Sequence, residues 1–164
     1  MSVPQCQEYM LEILKAESDE DIEQVRTLFS EYAATLDFDL DFQDFEEELT
    51  NLPGDYVRPR GCLLLAVYKG QPVGCVGLKK LSEGVCEMKR LYVKERLRGL
   101  GIGRALTKAI IEQAGRIGYN SMRLDTVPAM EAARALYVSV GFKQIGPYRY
   151  NPIEGAVFME LRLV

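Results

Sequence analysis

The spacing of apolar residues changes period in the middle of the chain, and the rest can be placed around that change. Over Val85–Val93 apolar and polar side chains alternate, with Glu87 and Lys89 among the polar positions, which predicts a strand. From Ile102 the stripe Ile102, Ala105, Leu106, Ala109, Ile110, Gln113, Ala114 and Ile117 recurs at helical spacing. Arg104, Lys108, Glu112 and Arg116 fall between, so this segment predicts an amphipathic helix. The junction therefore reads as strand, glycine-studded turn, helix.

The same reading extends in both directions. Residues 8–16, with Tyr9, Met10, Leu11, Ile13 and Leu14, predict a first strand. Ser18 or Asp19 can cap a helix whose apolar stripe is Ile22, Val25, Leu28, Phe29 and Tyr32. Residues 41–51 predict a short second helix on Phe42, Phe45 and Leu49. Cys62–Tyr68, a tight connection at Lys69 and Gly70, residues 73–81 and a turn at Ser82 to Gly84 lead into the Val85 strand, giving an antiparallel meander. After the long helix ends at Gly118, Ser121–Thr126 predicts a strand that a helical crossover makes parallel to its predecessor. Pro128 breaks the chain, residues 130–140 predict a late helix ended by Gly141, and residues 142–145 and 156–163 predict closing strands. The expected architecture is α/β: one mixed sheet, antiparallel at its start and parallel in its middle, in a single domain over residues 1–164.

Composition narrows the chemistry. At 164 residues, 48% hydrophobic and 27% charged, the chain suits one globular domain and argues against disorder. A formal net charge of −4 disfavours a nonspecific nucleic-acid coat, so a local basic turn suggests a small anionic ligand. The chain has no histidine, which removes the commonest general base and metal ligand and excludes Ser-His-Asp and Cys-His mechanisms. Cys6, Cys62, Cys75 and Cys86 form no C-x-x-C pair and are expected to be buried thiols with no metal between them. The start lacks a signal-peptide pattern and no stretch reaches transmembrane length, so the expected location is cytoplasmic, without a membrane. Asp37, Asp39, Asp41, Asp44, Glu46, Glu47 and Glu48 make the early helices acidic, as a solvated face or as a docking surface for a cationic substrate.

The turn carries the sharpest signal. Arg98, Gly99, Leu100, Gly101, Ile102, Gly103 and Arg104 combine missing Cβ atoms with the unpartnered N–H groups of a helix start, an arrangement that suits a phosphate. A P-loop fails because Gly103 is followed by Arg104 and Ala105 rather than Lys and Ser or Thr. The dinucleotide fingerprint G-x-G-x-x-G would need a third glycine where Arg104 stands, so a nicotinamide-dependent oxidoreductase is a poor second despite Asp125 at a strand end. The pattern that fits is R-x-x-G-x-G from Arg98 to Gly103, preceded by Leu91, Tyr92 and Val93. With Ala133, Arg134, Ala135, Leu136, Tyr137 and the later Gly141 and Phe142, the chain resembles the GCN5-related N-acetyltransferase superfamily over roughly residues 87–142.

That resemblance implies a fold in which two neighbouring parallel strands splay apart, acetyl-CoA as cofactor, and direct transfer of acetyl to a primary amine of a small molecule or peptide. It implies pyrophosphate binding by the backbone of Gly99 to Arg104, with Arg98 alongside, and main-chain contacts from Leu91, Tyr92 and Val93 to the pantetheine arm, one amide also polarising the thioester carbonyl. Tyr137 occupies the position of a general acid in the superfamily; its other reading is a core aromatic. Glu87, on the central strand, is the candidate general base or else a solvent-facing carboxylate. Tyr148, Tyr150 and Asn151, on the turn at residues 146–155, are candidates to line the acceptor pocket. The chain departs from the family at Met130, where an asparagine is usual, and Arg134 either replaces part of that contact or is a solvated arginine. A homodimer is compatible with the resemblance, and a non-catalytic acyl-CoA-binding sensor is the alternative function.

Overall fold

A computed structural model describes residues 10–37, 39–40, 44–128 and 130–163. The meander forms as the alternation requires: β1 (Leu11–Lys15), β2 (Cys62–Tyr68), β3 (Gln71–Ser82) and β4 (Val85–Val93) pair antiparallel in sequence. Two helices precede the second strand, α1 (Asp19–Thr35) and α2 (Phe45–Asn51), and the first is capped by the Ser18 side chain accepting from the Asp21 N–H at 3.1 Å. Then come α3 (Ile102–Ile117), β5 (Ser121–Thr126), α4 (Glu131–Val140), β6 (Lys143–Ile145) and β7 (Val157–Arg162). The single seven-stranded sheet runs β1-β2-β3-β4-β5-β7-β6, and β4 and β5 are its parallel pair.

Period-two alternation gives each face of the sheet its own core. Cys86 and Met88 of β4 join Leu106 and Ile110 of α3 on one face, together with Tyr137 and Phe142. On the other, Tyr92 joins Val25 and Phe29 of α1, with Phe45 and Tyr56. Fully enclosed side chains such as Phe29, Leu106 and Ile110 each contribute roughly 1.5–3 kcal/mol. Gly77 on β3 has a packing reason: a Cβ there would lie 2.7 Å from the Tyr56 ring, which crosses the strand at that point.

Boundaries differ from expectation by a residue or two at β3, β6 and β7, and in three further places. The first strand begins at Leu11, residues 8 and 9 lying outside the described residues with Cys6. The short helix begins at Phe45, behind Asp44 in a left-handed conformation, and residues 41–43 with Phe42 are likewise outside. Met130 caps the late helix rather than opening it. Cys62, Cys75 and Cys86 are buried free thiols; desolvation pushes the Cys86 thiol up to about 12. Among the described residues no helix is long and apolar enough to cross a membrane, and no group of His, Cys, Asp and Glu side chains could hold a metal ion.

Candidate active site

The parallel pair is short. β4 and β5 are in register only at Val85↔Ser121, Cys86↔Met122 and Glu87↔Arg123, although β4 continues to Val93 and β5 to Thr126. Beyond Glu87 the strands part, and the β4 edge turned toward β5 has no strand partner there among the described residues. An extended, amide-rich chain could pair with that edge. On its other side β4 carries a bulge: the register passes from Cys75↔Tyr92 to Gly77↔Lys89, so Arg90 and Leu91 stand opposite Val76 alone. Arg90 has φ +62°, and its carbonyl accepts the Cys75 thiol at 3.5 Å.

The glycine turn closes one end of this gap. Gly99 and Gly101 have φ +87° and +84°, conformations that side-chain-bearing residues rarely hold, and a Cβ at either would point into open space. Gly101 is the helix cap, with no side-chain cap and no acidic residue in the first turn. The first intrahelical bond is Ala105 N–H to Gly101 O at 3.0 Å, so the amides of Ile102, Gly103 and Arg104 precede the ladder and carry the positive end of the α3 dipole. These features fit a diphosphate. Side chains contribute less: Ile102 is buried in the core, Leu100 is 57% exposed, and Arg98 folds back so that its Nε donates to Val93 O at 3.0 Å. The Arg104 Nη2 donates to Ser139 Oγ at 2.9 Å, tying the turn to α4.

The opposite end is built from side chains. Glu87 is fully enclosed, which removes its reading as a solvent-facing carboxylate. Its Oε2 accepts the Tyr148 hydroxyl at 2.7 Å and pairs with Arg149 Nη2 at 2.5 Å; its Oε1 lies 3.9 Å from Lys89 Nζ. Burial, followed by the Arg90 charge, lowers the Lys89 ammonium to about 8, with Glu87 acting in the opposite sense. Arg90 is held by both oxygens of Glu48, at 2.9 and 3.1 Å, and Arg123 by Glu160 at 2.7 Å. Desolvation first, then the Glu87 charge and hydrogen bond, push the Tyr148 hydroxyl well above the usual phenol range.

The late turn is pinned to this cluster. Tyr148 packs edge-on against Phe158, with Arg123 and Arg149 over its ring, and Asn151 Nδ2 donates to Asp125 Oδ2 at 3.1 Å. Tyr150 is 76% exposed. Tyr137 packs on Phe142 at 5.7 Å, and burial, with smaller effects of Tyr32 and Asp125, raises its hydroxyl well above the usual range. No hydrogen bond joins Tyr137 to Glu87 among the described residues. Arg134 is half-buried with an enclosed Nε, contrary to its reading as a solvated arginine, and Met130 Sδ receives the Thr126 hydroxyl at 3.9 Å. The sequence reading missed Lys89, Arg90 with Glu48, and Arg149. Strand alternation could have found Lys89, two positions from Glu87 on one face. No spacing signal pointed to Arg149. Elsewhere, a cavity of about 820 Å³ is lined by Lys15, Arg58, Cys62 and Arg116, away from this cluster.

Residues 22–142 match the acetyltransferase (GNAT) family. An uncharacterized N-acetyltransferase of Schizosaccharomyces pombe is 40% identical over 146 residues, covering 88% of this chain and 90% of that protein. The N-acetylaspartate synthetase of Xenopus tropicalis is 34% identical over 116 residues, 70% of this chain but only 41% of that protein. Among solved structures, a putative acyl-CoA N-acyltransferase from Klebsiella pneumoniae superposes with a TM-score of 0.74 at 26% identity, over 94% of this chain and 99% of that one. A splayed parallel pair, a glycine-led helix start beside it and these likenesses converge: the chain belongs to the GNAT family and is an acetyl-CoA-dependent N-acetyltransferase.

Proposed function

We propose that the protein transfers acetyl directly to a primary amine, with Glu87 as general base and Tyr137 as general acid. Bound acetyl-CoA supplies a thioester carbonyl as electrophile. The amides of Gly99 to Arg104 would hold its diphosphate, and the open edge of Leu91 to Val93 would hold its pantetheine arm. Glu87 takes a proton from the incoming ammonium, freeing the nitrogen lone pair. Tyr137, kept protonated by burial, delivers its proton to the departing sulfur. With no histidine in the chain, and Cys62, Cys75 and Cys86 buried and held protonated, the described thiols are poor nucleophiles for a covalent acyl-enzyme.

The observation that carries this reading is the enclosure of Glu87 beside the point where β4 and β5 part. The resemblance to N-acetylaspartate synthetases supports a small-molecule amine as acceptor. The test is release of free thiol from acetyl-CoA in the presence of an amine panel. Acceleration by at least one amine is expected, and Tyr137→Phe should lower kcat by about 10- to 100-fold with little change in coenzyme A affinity. Coenzyme A binding with no amine accelerated would favour a sensor instead, and an unchanged rate in Tyr137→Phe would remove its role as acid.

A further inference from the structure

We infer that the acceptor is a free amino acid, recognised through its α-carboxylate as well as through the amine that is acetylated. The inference rests on the direct-transfer reading above and adds the chemical class of its second substrate.

Two enclosed polar atoms lack hydrogen-bond partners at one spot: Glu87 Oε1 and Arg149 Nε. They belong to residues already paired to each other through Glu87 Oε2 and Arg149 Nη2. A buried orphan of this kind is costly, more so when charged, so two on one ion pair mark a place that something else completes. Their needs are complementary. The carboxylate oxygen requires a donor and the guanidinium N–H requires an acceptor. An α-amino acid brings an ammonium and a carboxylate on a single carbon, so it can satisfy both from one position.

The surrounding charges favour the same occupant. Arg90 is matched by Glu48 and Arg123 by Glu160, while Asp125 holds Asn151. Lys89 and Arg149 stand beside Glu87, and the Asp125 carboxylate also acts on Lys89. A zwitterionic amino acid adds no net charge to this set, whereas a second ammonium on the acceptor, as in a polyamine, adds one. The acidic stretch near α2 does not reverse this preference: Glu48 is engaged by Arg90, and Glu46 and Glu47 face solvent.

The experiment compares free amino acids with their α-amides and with polyamines in the thiol-release assay, after calorimetry has established coenzyme A binding. The amide keeps the amine and removes only the carboxylate charge. A free amino acid should be turned over with kcat/KM about 10- to 100-fold above its amide, the size of a charge-assisted hydrogen bond. Arg149→Gln should bring that ratio close to one; because Arg149 lies on a partly exposed turn, the variant should fold. Equal or better use of amides or polyamines, or an unaltered ratio in Arg149→Gln, would overturn the inference while leaving the acetyltransferase intact. Loss of coenzyme A binding in the wild type would instead strike the functional reading beneath it.

Discussion

The two ends of the gap between β4 and β5 offer different kinds of group to a ligand. At the glycine turn the groups on offer are main-chain amides, supplied by six consecutive residues from Gly99 to Arg104 and fixed by two left-handed glycines. At Glu87 they are side chains drawn from β4, β5 and the late turn, and each is positioned by another side chain. A carrier with a constant diphosphate can be held by backbone, which mutation of side chains barely alters. An acceptor that differs from one relative to another calls for side chains, which can be exchanged while the sheet stays in place.

The contrast is sharpest in the variant with the largest expected effect. Glu87→Gln keeps the volume of the side chain and removes the base, so kcat should fall by roughly 100- to 10,000-fold while coenzyme A affinity, set at the other end, stays within about twofold. Rapid-quench or steady-state thiol release beside calorimetry checks both halves. A parallel loss of both would mean that the two ends are not separable.

A smaller effect lies in pH dependence. The Lys89 ammonium sits at about 8 in the fold against 10.5 as the ordinary value. Between those values the unfolded chain binds the extra proton, so Lys89 makes stability rise with pH, from a deficit that is constant below about 8. The buried cysteines act oppositely: Cys62, Cys75 and Cys86 hold their protons in the fold, and their contribution falls as pH rises through about 9. The difference between wild type and Lys89→Gln cancels the cysteines. Urea melts should show the wild type gaining on the variant from pH 8 to 10.5, and a flat difference would deny that Lys89 is buried as a cation.

The same contrast explains what could be read from sequence. The turn is local, so Gly99, Gly101 and Gly103 in their order announced it, and the alternation over β2 to β5 announced the sheet around it. Glu87 was legible as a position on β4, but its burial was not, because the late turn that contacts it comes from residues more than sixty positions away. Arg149 stands between two tyrosines with no periodic signature, and long-range contacts of Tyr148 and Arg149 to Glu87 and of Asn151 to Asp125 bring that turn over the strands. The bulge at Arg90 was hidden as well, since a strand that shifts its register still alternates on both sides of the shift.

The central claim is that the backbone of the turn, rather than its arginines, grips the carrier. Calorimetric titration of coenzyme A into wild type, Arg98→Gln and Gly101→Val tests it directly. The account predicts clear binding in the wild type, a loss of about tenfold or more in Gly101→Val, where φ +84° is strained for valine, and a change of only a few-fold in Arg98→Gln, whose guanidinium serves Val93 O. No heat in the wild type, or full affinity in Gly101→Val, would contradict it.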